Sequence, residues 1–538
     1  MKCKPKTLTS LLLMLSITPS QTVLFTHFTL PQSDRPASLL CEHGRILAVN
    51  PSPETGSDTT IDLRGGVLYP GFTDAHLHLL GLGQSRDMLD LVGTTSAADI
   101  VRQVAQKVNA TPVGEWIRGR GWDQNDWKEI RFPDRQSLDA VAPNHPVALT
   151  RIDGHALWVN TAALQAAGIS PETPDPSGGK IYRDDQGQPT GILVDNAMNL
   201  VYRIIPEDSP ATHRRQLDQA VRYLNSLGLT AVHDAGTSRE TLRHLRAMET
   251  EGQLTLRVYA MLNDDPDDYE PYLVSGPDVS DPLITVRALK LYLDGALGSR
   301  GAALLQPYSD DPENRGLIVT DSALVAEKVR RFNDAGFQVN VHCIGDRANR
   351  MALDIFARNG RPENRNRIEH AQIIAPEDIP RFAELGVIPS MQATHCTSDM
   401  YWADERLGAE RLVEAYPWQS LIQAGSLIPG GSDAPVEVPN PLWGFYAAIT
   451  RQDHQGWPAG GWQPREKMTP EQALHMLTDW PAYASFREQE LGRIRPGYWA
   501  DFTVLDRNIL SCPPEDVLET QVLFTIVGGR IVYAGPTP

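Results

Sequence analysis

The sequence predicts an α/β protein built on a parallel (β/α)8 barrel, or TIM barrel. It also predicts a small β domain formed by both termini and an α+β subdomain inserted after the first barrel strand. Through the middle of the chain, strand-like segments alternate with amphipathic helical segments; both ends are rich in short apolar runs; and one long stretch interrupts the alternation. A chain of 538 residues is long enough for all three parts.

The amino-acid composition and net charge limit the kinds of molecule that this protein is expected to bind. The chain has 41% hydrophobic and 22% charged residues, which is typical of soluble globular proteins. Its net charge of −18 argues against nucleic acid or an anionic membrane as a partner, because phosphate binding requires basic patches. The five cysteines are scattered without a Cys-x-x-Cys pair, so neither a disulfide framework nor a thiolate zinc site is expected.

Residues 1–22 allow two interpretations. Lysines at positions 2, 4 and 6 precede an apolar run at 8–17, which resembles a signal peptide. The run is too short to span a bilayer, and residues 18–21 lack a good small-x-small cleavage pattern. Translation starting at Met14 is the alternative. The sequence therefore leaves both a cytoplasmic and an exported (periplasmic) location open, and no later segment is apolar enough to cross a membrane.

The two ends of the chain have similar strand-like patterns. Residues 23–69 and 486–538 contain short apolar runs broken by Gly, Pro and Asp, which indicate hairpins rather than helices. A Gly-Arg-Ile sequence occurs in both ends, at 44–46 and 529–531. We expect the two ends to join in one β domain.

Between these ends, residues 70–485 are predicted to form the barrel, with an insertion at about 82–210. The eight strand-like segments of the barrel are DAHLH, AVHDA, RVYAM, KLYLD, VNVHC, RIEHA, IPSMQ and IPGGSD. Helical patterns separate the later segments, as a parallel barrel requires. Functional residues of this fold lie at the carboxyl ends of the strands.

Those strand ends carry four histidines and one aspartate, together with a lysine that would, taken alone, be expected in a salt bridge: His76, His78, His342, His370, Asp433 and Lys290. His76 and His78 project from the same face of one strand, because side chains alternate along a strand. Imidazole and carboxylate groups are ordinary ligands of zinc and related ions. A His-x-His pair alone is a weak signal, and two partly buried polar side chains would explain it equally well. The ligands from the other strands make a metal centre the stronger prediction.

The amino-acid sequences of these segments resemble those of the amidohydrolase superfamily. The similarity is greatest to its YtcJ-like, or amidohydrolase-3, branch, which includes N-substituted formamide deformylases. It extends over about residues 22–535 and rests on the segments PGFTDAHLH, GRGWDQNDW, RIDGHALWVN, KLYLDGALGSRGA, VHCIGDRA, RIEHAQ, SMQATH, IPGGSDAPV and LGRIRPGYWADFTVLD. The resemblance implies that the terminal β domain is a β-sandwich. One departure is Asp195, where the family usually has Glu; we expect this position to lie away from the ligands.

The resemblance also implies the ligand set and the chemistry. Two divalent ions, zinc in the first instance, would be bridged by Lys290 carboxylated on its amine and by a hydroxide. His76, His78 and Asp433 would hold one ion, and His342 and His370 the other. Asp433 would also act as the general base. Not every member of the branch need fill both metal positions.

The expected function is metal-dependent hydrolysis of a non-peptide carbon–nitrogen bond, in an amide or an N-acyl or N-formyl amine. A mononuclear deaminase of the same superfamily and a catalytically inactive binding protein on the same barrel are the alternatives. The partner would be a small amide-like molecule, and a homodimer is left open. Candidates for the substrate pocket are Trp122, Asp123, His155, Asp294, Arg300 and His395. For Trp122 and His155, packing inside the insertion is an equal alternative. Glu369 is expected to point away from His370 and to pair with a nearby Arg.

Overall fold

The computed structural model describes residues 21–52, 55–206 and 208–536. The predicted signal peptide or alternative start lies almost entirely outside these residues and stays a prediction. The strands are β1 (Val23–Leu30), β2 (Ser33–Glu42), β3 (Arg45–Val49), β4 (Thr59–Pro70), β5 (Phe72–Leu77), β6 (Leu89–Asp90), β7 (Ile117–Trp122), β8 (Val147–Arg151), β9 (Ala156–Val159), β10 (Gly179–Arg183), β11 (Pro189–Asp195), β12 (Leu229–Thr237), β13 (Arg257–Leu262), β14 (Ile284–Tyr292), β15 (Gln338–Cys343), β16 (Arg367–His370), β17 (Ile388–Ser390), β18 (Phe502–Leu505), β19 (Val522–Val527) and β20 (Arg530–Ala534).

The α-helices follow the same chain order. They are α1 (Leu79–Ser85), α2 (Ala97–Val108), α3 (Arg135–Asp139), α4 (Thr161–Ala166), α5 (Asn199–Tyr202), α6 (Pro210–Ser226), α7 (Arg239–Thr250), α8 (Pro266–Ser275), α9 (Ser322–Asp334), α10 (Asp346–Asn359), α11 (Ile379–Leu385), α12 (Ala393–Asp399), α13 (Ala403–Leu407), α14 (Trp418–Gln423), α15 (Pro441–Thr450), α16 (Pro470–Leu477), α17 (Asp479–Ala484) and α18 (Pro514–Leu518). No helix among the described residues is both long and apolar enough to serve as a membrane span.

Strands from both ends of the chain form one sheet, in the order β20-β19-β18-β4-β1-β2-β3. The junction is the antiparallel pair β18 and β4, in which Phe502 lies opposite Pro70 and Val504 opposite Leu68. Phe25 and Phe502 contact each other edge to face, with ring centroids 6.1 Å apart, inside the apolar core of this part of the molecule. The predicted union of the termini is therefore present, whereas the exact domain boundaries stay predictions.

The chain passes from the terminal sheet into the barrel at Gly71. Its N–H donates to the carbonyl oxygen of Asp501 at 2.8 Å, which keeps β4 paired up to its last residue. A Cβ atom at this position would lie 2.2 Å from Oγ1 of Thr230 on β12. Glycine is therefore required where the terminal sheet and the barrel meet.

Seven parallel strands form the barrel sheet, in the order β17-β16-β15-β14-β13-β12-β5. The eighth predicted strand, IPGGSD, forms a single parallel bridge, between Gly430 and Met391, instead of a ladder. Its backbone nevertheless bonds to both edges of the sheet: Ala75 N–H donates to the Gly430 oxygen at 2.9 Å, and Gly431 N–H donates to the Met391 oxygen at 3.1 Å. This closing segment (residues 428–433) lies between β17 and β5 and completes the ring. The predicted fold class is confirmed.

The closing segment is irregular because it passes unusually close to its neighbours. A Cβ at Gly431 would lie 2.5 Å from the backbone nitrogen of His76. Asp433 has a φ of 58°, a left-handed conformation that ends the extended run. Its N–H still donates to the His76 carbonyl oxygen at 2.7 Å, which fixes the segment against β5.

The insertion after β5 forms its own mixed sheet, in the order β10-β11-β9-β8-β7-β6. Trp122 and Trp158 are fully buried at its centre, with ring centroids 6.3 Å apart. A hairpin joins β10 and β11, and Gly187 N–H donates to the Asp184 oxygen at 2.9 Å in its turn. The inserted α+β subdomain thus has a core separate from that of the barrel.

Candidate metal centre

The six predicted ligands converge at the carboxyl ends of the barrel strands. His76 lies near the end of β5, Lys290 on β14, His342 on β15, and His370 is the last residue of β16. His78 follows β5 directly and Asp433 ends the closing segment. These strands lie far apart in sequence, and only barrel closure brings their ends together.

The most compact part of the cluster contains His76, His78 and Asp433. Oδ1 of Asp433 lies 3.4 Å from Nε2 of His76 and 3.2 Å from Nε2 of His78. Two ligand atoms, each about 2.1 Å from a tetrahedral zinc ion, lie about 3.4 Å apart. The three side chains therefore already have the spacing of ligands that share one cation.

Glu369 determines which nitrogen of His76 faces the centre. Nδ1 of His76 lies 2.5 Å from Oε2 of Glu369, and both side chains are fully buried. In the neutral ring, Nδ1–H donates to this carboxylate, so Nε2 carries a lone pair. That nitrogen lies 3.2 Å from Nζ of Lys290 and 3.4 Å from Oδ1 of Asp433, an oxygen that has no hydrogen-bond donor among the described residues. A buried carboxylate oxygen without a donor is costly, and a cation shared with the two neighbouring imidazoles would satisfy it, so the residues present fit a divalent metal.

Glu369 also meets the sequence expectation. Its Oε1 lies 2.9 Å from Nε of Arg367, so it does pair with a nearby arginine. Sequence reasoning missed its contact with His76, which lies 293 positions away in the chain. A signal was present in RIEH, because Arg367 and Glu369 share one face of the strand while His370 takes the other.

His342 and His370 form a second group beside the first. Their ring centroids are 4.4 Å apart, and the His370 ring lies 5.0 Å from that of His76. Nδ1 of His370 is hydrogen-bonded to Oε1 of Gln392 at 2.8 Å, which leaves Nε2 for another partner. Nε2 of His342 is buried and has no hydrogen-bond partner in the described part of the chain. Burial holds the pKa of both imidazoles well below its ordinary value, which keeps them neutral and able to bind a metal.

Lys290 lies beside His76. Its Nζ atom is 3.2 Å from Nε2 of His76, and the side chain is almost completely buried. Burial lowers the pKa of this lysine to about 8. Near neutral pH a fraction of the side chain is therefore the free amine, which is the form that can react with carbon dioxide.

Two of the metal-centre residues have unusual backbone conformations. His370 has a φ of 72° and Asp433 a φ of 58°. Positive φ is uncommon outside glycine and occurs mainly where surrounding structure enforces it. For Asp433 that structure includes Ser432, whose hydroxyl donates to Asp74 at 2.5 Å. The strained backbone turns both side chains into the centre.

Four of the six pocket candidates line the cavities over this centre. They are Asp123, His155, Asp294 and His395. Nε2 of His395 lies 3.9 Å from Oδ2 of Asp433, and its ring is nearly parallel to that of His370. Asp294 accepts backbone N–H bonds from Ala303, Ile344 and Gly345 at 2.8, 2.9 and 2.8 Å, and so fixes the loop after β15. Burial raises the pKa of Asp294 to about 7.

Trp122 and Arg300 do not reach these cavities. The Trp122 indole is fully buried inside the insertion, where its Nε1–H donates to the Leu149 carbonyl oxygen at 2.7 Å. Arg300 is only partly exposed and pairs with Asp310 at 2.8 Å. The expectation that these two residues line the pocket is corrected: internal packing accounts for the position of Trp122, and the ion pair with Asp310 for that of Arg300.

Asp195 is closer to the centre than expected from sequence. Its Oδ1 lies 2.6 Å from Nδ1 of His155, whose ring centroid is 5.1 Å from that of His342. The residue lies at the end of β11, in the insertion, and only the docking of the insertion over the barrel brings it here. Asp195 therefore orients His155 at the edge of the centre.

Two cavities open onto the centre, of 740 Å³ and 840 Å³. They share residues at the metal centre, among them His155, His342, His370 and Asp433. The first extends under the insertion toward Tyr401 and Trp443, and the second extends toward α6 and α7. A small molecule can therefore approach the centre from either side of the insertion.

Comparison with known proteins agrees with this fold and site. The model of the Amidohydrolase family matches residues 59–533. Putative amidohydrolase YtcJ of Bacillus subtilis is 33% identical over 524 residues, which covers 95% of this chain and 98% of the relative. N-substituted formamide deformylase of Arthrobacter pascens is 28% identical over 529 residues, covering 92% and 94%. The crystal structure of an uncharacterized metal-dependent hydrolase from Pyrococcus horikoshii superposes with a TM-score of 0.74 at 27% identity, covering 92% of this chain and 99% of that one.

The fold and the buried His/Asp cluster define a barrel hydrolase of the metal-dependent class. The chain belongs to the amidohydrolase family. The resemblance found in the sequence is thereby confirmed.

Proposed function

We propose that this protein hydrolyses a non-peptide carbon–nitrogen bond in a small molecule, an amide or an N-acyl or N-formyl amine. One observation carries the proposal: Oδ1 of Asp433 lies 3.4 Å from Nε2 of His76 and 3.2 Å from Nε2 of His78, in a buried site that opens onto two cavities. The full-length similarity to an N-substituted formamide deformylase supports the choice of bond.

The proposed centre holds two divalent ions, with zinc as the first choice because the ligands are imidazole and carboxylate. His76, His78 and Asp433 would bind one ion, and His342 and His370 the other. Lys290, carboxylated on Nζ, would bridge them. Its position beside His76 and its lowered pKa support this role. A divalent zinc in such a site supplies a water that ionises near neutral pH and polarises a bound carbonyl.

The protein's own residues would carry the proton. Asp433 would accept it from the attacking water and deliver it to the departing nitrogen. An aspartate is ionised at neutral pH, and the ionised carboxylate is the form that accepts a proton. His395, 3.9 Å from Asp433 Oδ2, lies where it can hydrogen-bond the substrate.

A substrate screen with zinc-loaded protein tests the proposal. N-formyl amines, N-acyl amines, cyclic amides and dipeptides would be offered in parallel, and release of amine, carboxylate and ammonia would be measured separately. The proposal expects turnover of one of the first three classes. Turnover of dipeptides alone would overturn the non-peptide assignment. Ammonia release from an amino-substituted ring by protein containing one ion would instead favour the mononuclear deaminase.

A further inference from the structure

A second cluster of metal-binding side chains lies outside the centre, on two neighbouring helices. His213 is in the first turn of α6, and Glu240 and His244 are one turn apart on α7. Residues four apart on a helix project from the same face. One atom from each of the three side chains lies within 4.8 Å of the other two.

The distances are those of shared ligands rather than of hydrogen bonds. Oε1 of Glu240 lies 3.6 Å from Nε2 of His244 and 3.9 Å from Nδ1 of His213. A separation of 3.6 Å is too long for a hydrogen bond. Ligands of a tetrahedral zinc ion lie about 3.4 Å apart, so shifts of a few tenths of an ångström would complete the site.

Two imidazole nitrogens of this cluster lack a hydrogen-bond partner among the described residues. Nδ1 of His213 and Nε2 of His244 are both buried atoms without a hydrogen-bond partner. Their rings are nearly perpendicular, at 88°, with centroids 6.4 Å apart, so they do not stack. Leaving two buried ring nitrogens unpaired is costly unless another group binds them.

One competing cation is present. Nη2 of Arg243 donates to Oε1 of Glu240 at 3.2 Å. The Arg243 side chain is 68% exposed, and such surface pairs contribute little. Oε1 is also the oxygen nearest both imidazoles, so a bound ion would share it with this exposed guanidinium or displace the guanidinium.

We propose that His213, Glu240 and His244 form a separate binding site for a divalent transition-metal ion of the zinc class. Two imidazoles and one carboxylate supply three ligands, which leaves a fourth position open. His213 and Glu240 line the 840 Å³ cavity that reaches the metal centre, so the open position faces that cavity and takes a water or an anionic group of a ligand. The bound ion links α6 to α7. The site is partly exposed and has no bridging ligand, so it binds more weakly than the centre.

Calorimetric titration with zinc chloride tests this site. The full-length protein is first loaded with zinc and desalted, so that the tight centre stays filled. Wild-type protein is expected to bind one further ion per chain. The double variant His213→Gln/His244→Gln should lose this event. His475→Gln is the matched control, because His475 also pairs with a carboxylate four residues away, Asp479 on the same chain segment. It should keep the event.

Two further variants show whether a loss of zinc binding comes from misfolding, and whether this site can fail independently of the proposed hydrolysis. Glu240→Gln changes a side chain that is 41% exposed, so the fold should be kept while the extra zinc binds at least about tenfold more weakly. His244→Gln should hydrolyse substrate at the wild-type rate when zinc is stoichiometric with the centre. The inference is overturned if wild-type protein takes up no further ion, or if the double variant binds it as tightly as wild type.

Discussion

Lys290 is the residue whose chemical state decides how many ions the centre holds. A protonated amine has no lone pair and would repel a cation, whereas a carboxylated amine supplies anionic oxygens. The Lys290 side chain is buried and is not in a salt bridge among the described residues. Its closest polar contact is Nε2 of His76, at 3.2 Å. Carboxylation would explain why a lysine is buried at this position, and the carboxylated state of Lys290 stays a prediction.

Replacing Lys290 by Ala should remove one ion and most of the turnover. The bridging ligand disappears, while His76, His78 and Asp433 can still hold the other ion. Metal content by mass spectrometry and the rate of hydrolysis check this. Lys328→Ala is the control, since Lys328 pairs with Asp264 on the protein surface, away from the centre. Unchanged metal content in the Lys290 variant would mean that this lysine is structural.

Replacing Asp433 by Asn should abolish hydrolysis while the fold survives. The amide has nearly the same shape, but it neither accepts the proton nor carries the charge that attracts a cation. Loss of a general base typically costs about 10² to 10⁴ in rate. Steady-state kinetics together with circular dichroism check this. A folded variant that keeps its full kcat would exclude Asp433 as the base.

At the scale of elements, most of the barrel is predictable from sequence and its closing segment is not. Strands such as β12 and β15 are apolar runs between amphipathic helices, and this alternation predicts a parallel sheet. The segment IPGGSD has the composition of a strand end, but its glycines are needed because its backbone passes close to neighbouring segments. That approach depends on β5, which is more than 350 residues away in the chain.

The site shows the same division. Ligands at strand ends are predictable, because each strand end faces the same side of the barrel. Asp195 and Trp122 belong to the insertion, and nothing local in the sequence shows that the first reaches the centre and the second fills a core. Tertiary docking decides both. The orientation of His76 by Glu369 is likewise a contact between distant strands.

Gly431→Ala tests whether close packing of the closing segment maintains the centre. The added methyl group would lie 2.5 Å from the His76 nitrogen, so the segment must move and carry Asp433 with it. We expect at least tenfold weaker metal binding and a lower melting temperature. Both are measured by metal titration and thermal unfolding.

The matched control for this substitution is Gly444→Ala on α15. No atom lies within 4 Å of a Cβ placed there, and alanine favours a helix over glycine. This variant should bind metal normally and melt no earlier than wild type. If Gly431→Ala behaved in the same way, close approach at the closing segment would not matter to the centre.

At the scale of the whole molecule, the terminal sheet is fixed to the barrel by a buried ion pair. Arg257 on β13 contacts Asp501 through Nε at 2.5 Å and through Nη2 at 3.0 Å. Asp501 also accepts the Gly528 N–H at 2.7 Å. The pair is two-pronged and almost fully buried, so removing one partner leaves an uncompensated charge.

Asp501→Asn should therefore lower the free energy of unfolding by about 3 to 5 kcal/mol. Urea unfolding followed by tryptophan fluorescence and circular dichroism measures it. Asp34→Asn, an exposed aspartate on β2 of the same sheet, should leave the midpoint unchanged. Equal midpoints for wild type and the Asp501 variant would show that apolar contacts alone hold the terminal sheet to the barrel.

In the proposed centre, six side chains from five barrel segments hold two divalent ions. Anomalous diffraction at the zinc edge, from crystals of zinc-loaded protein, tests it most directly. Two peaks are expected at the carboxyl ends of the strands: one bonded to His76, His78 and Asp433, the other to His342 and His370, with density for a carboxylated Lys290 between them. A single peak with an unmodified Lys290 in fully active crystals would contradict it.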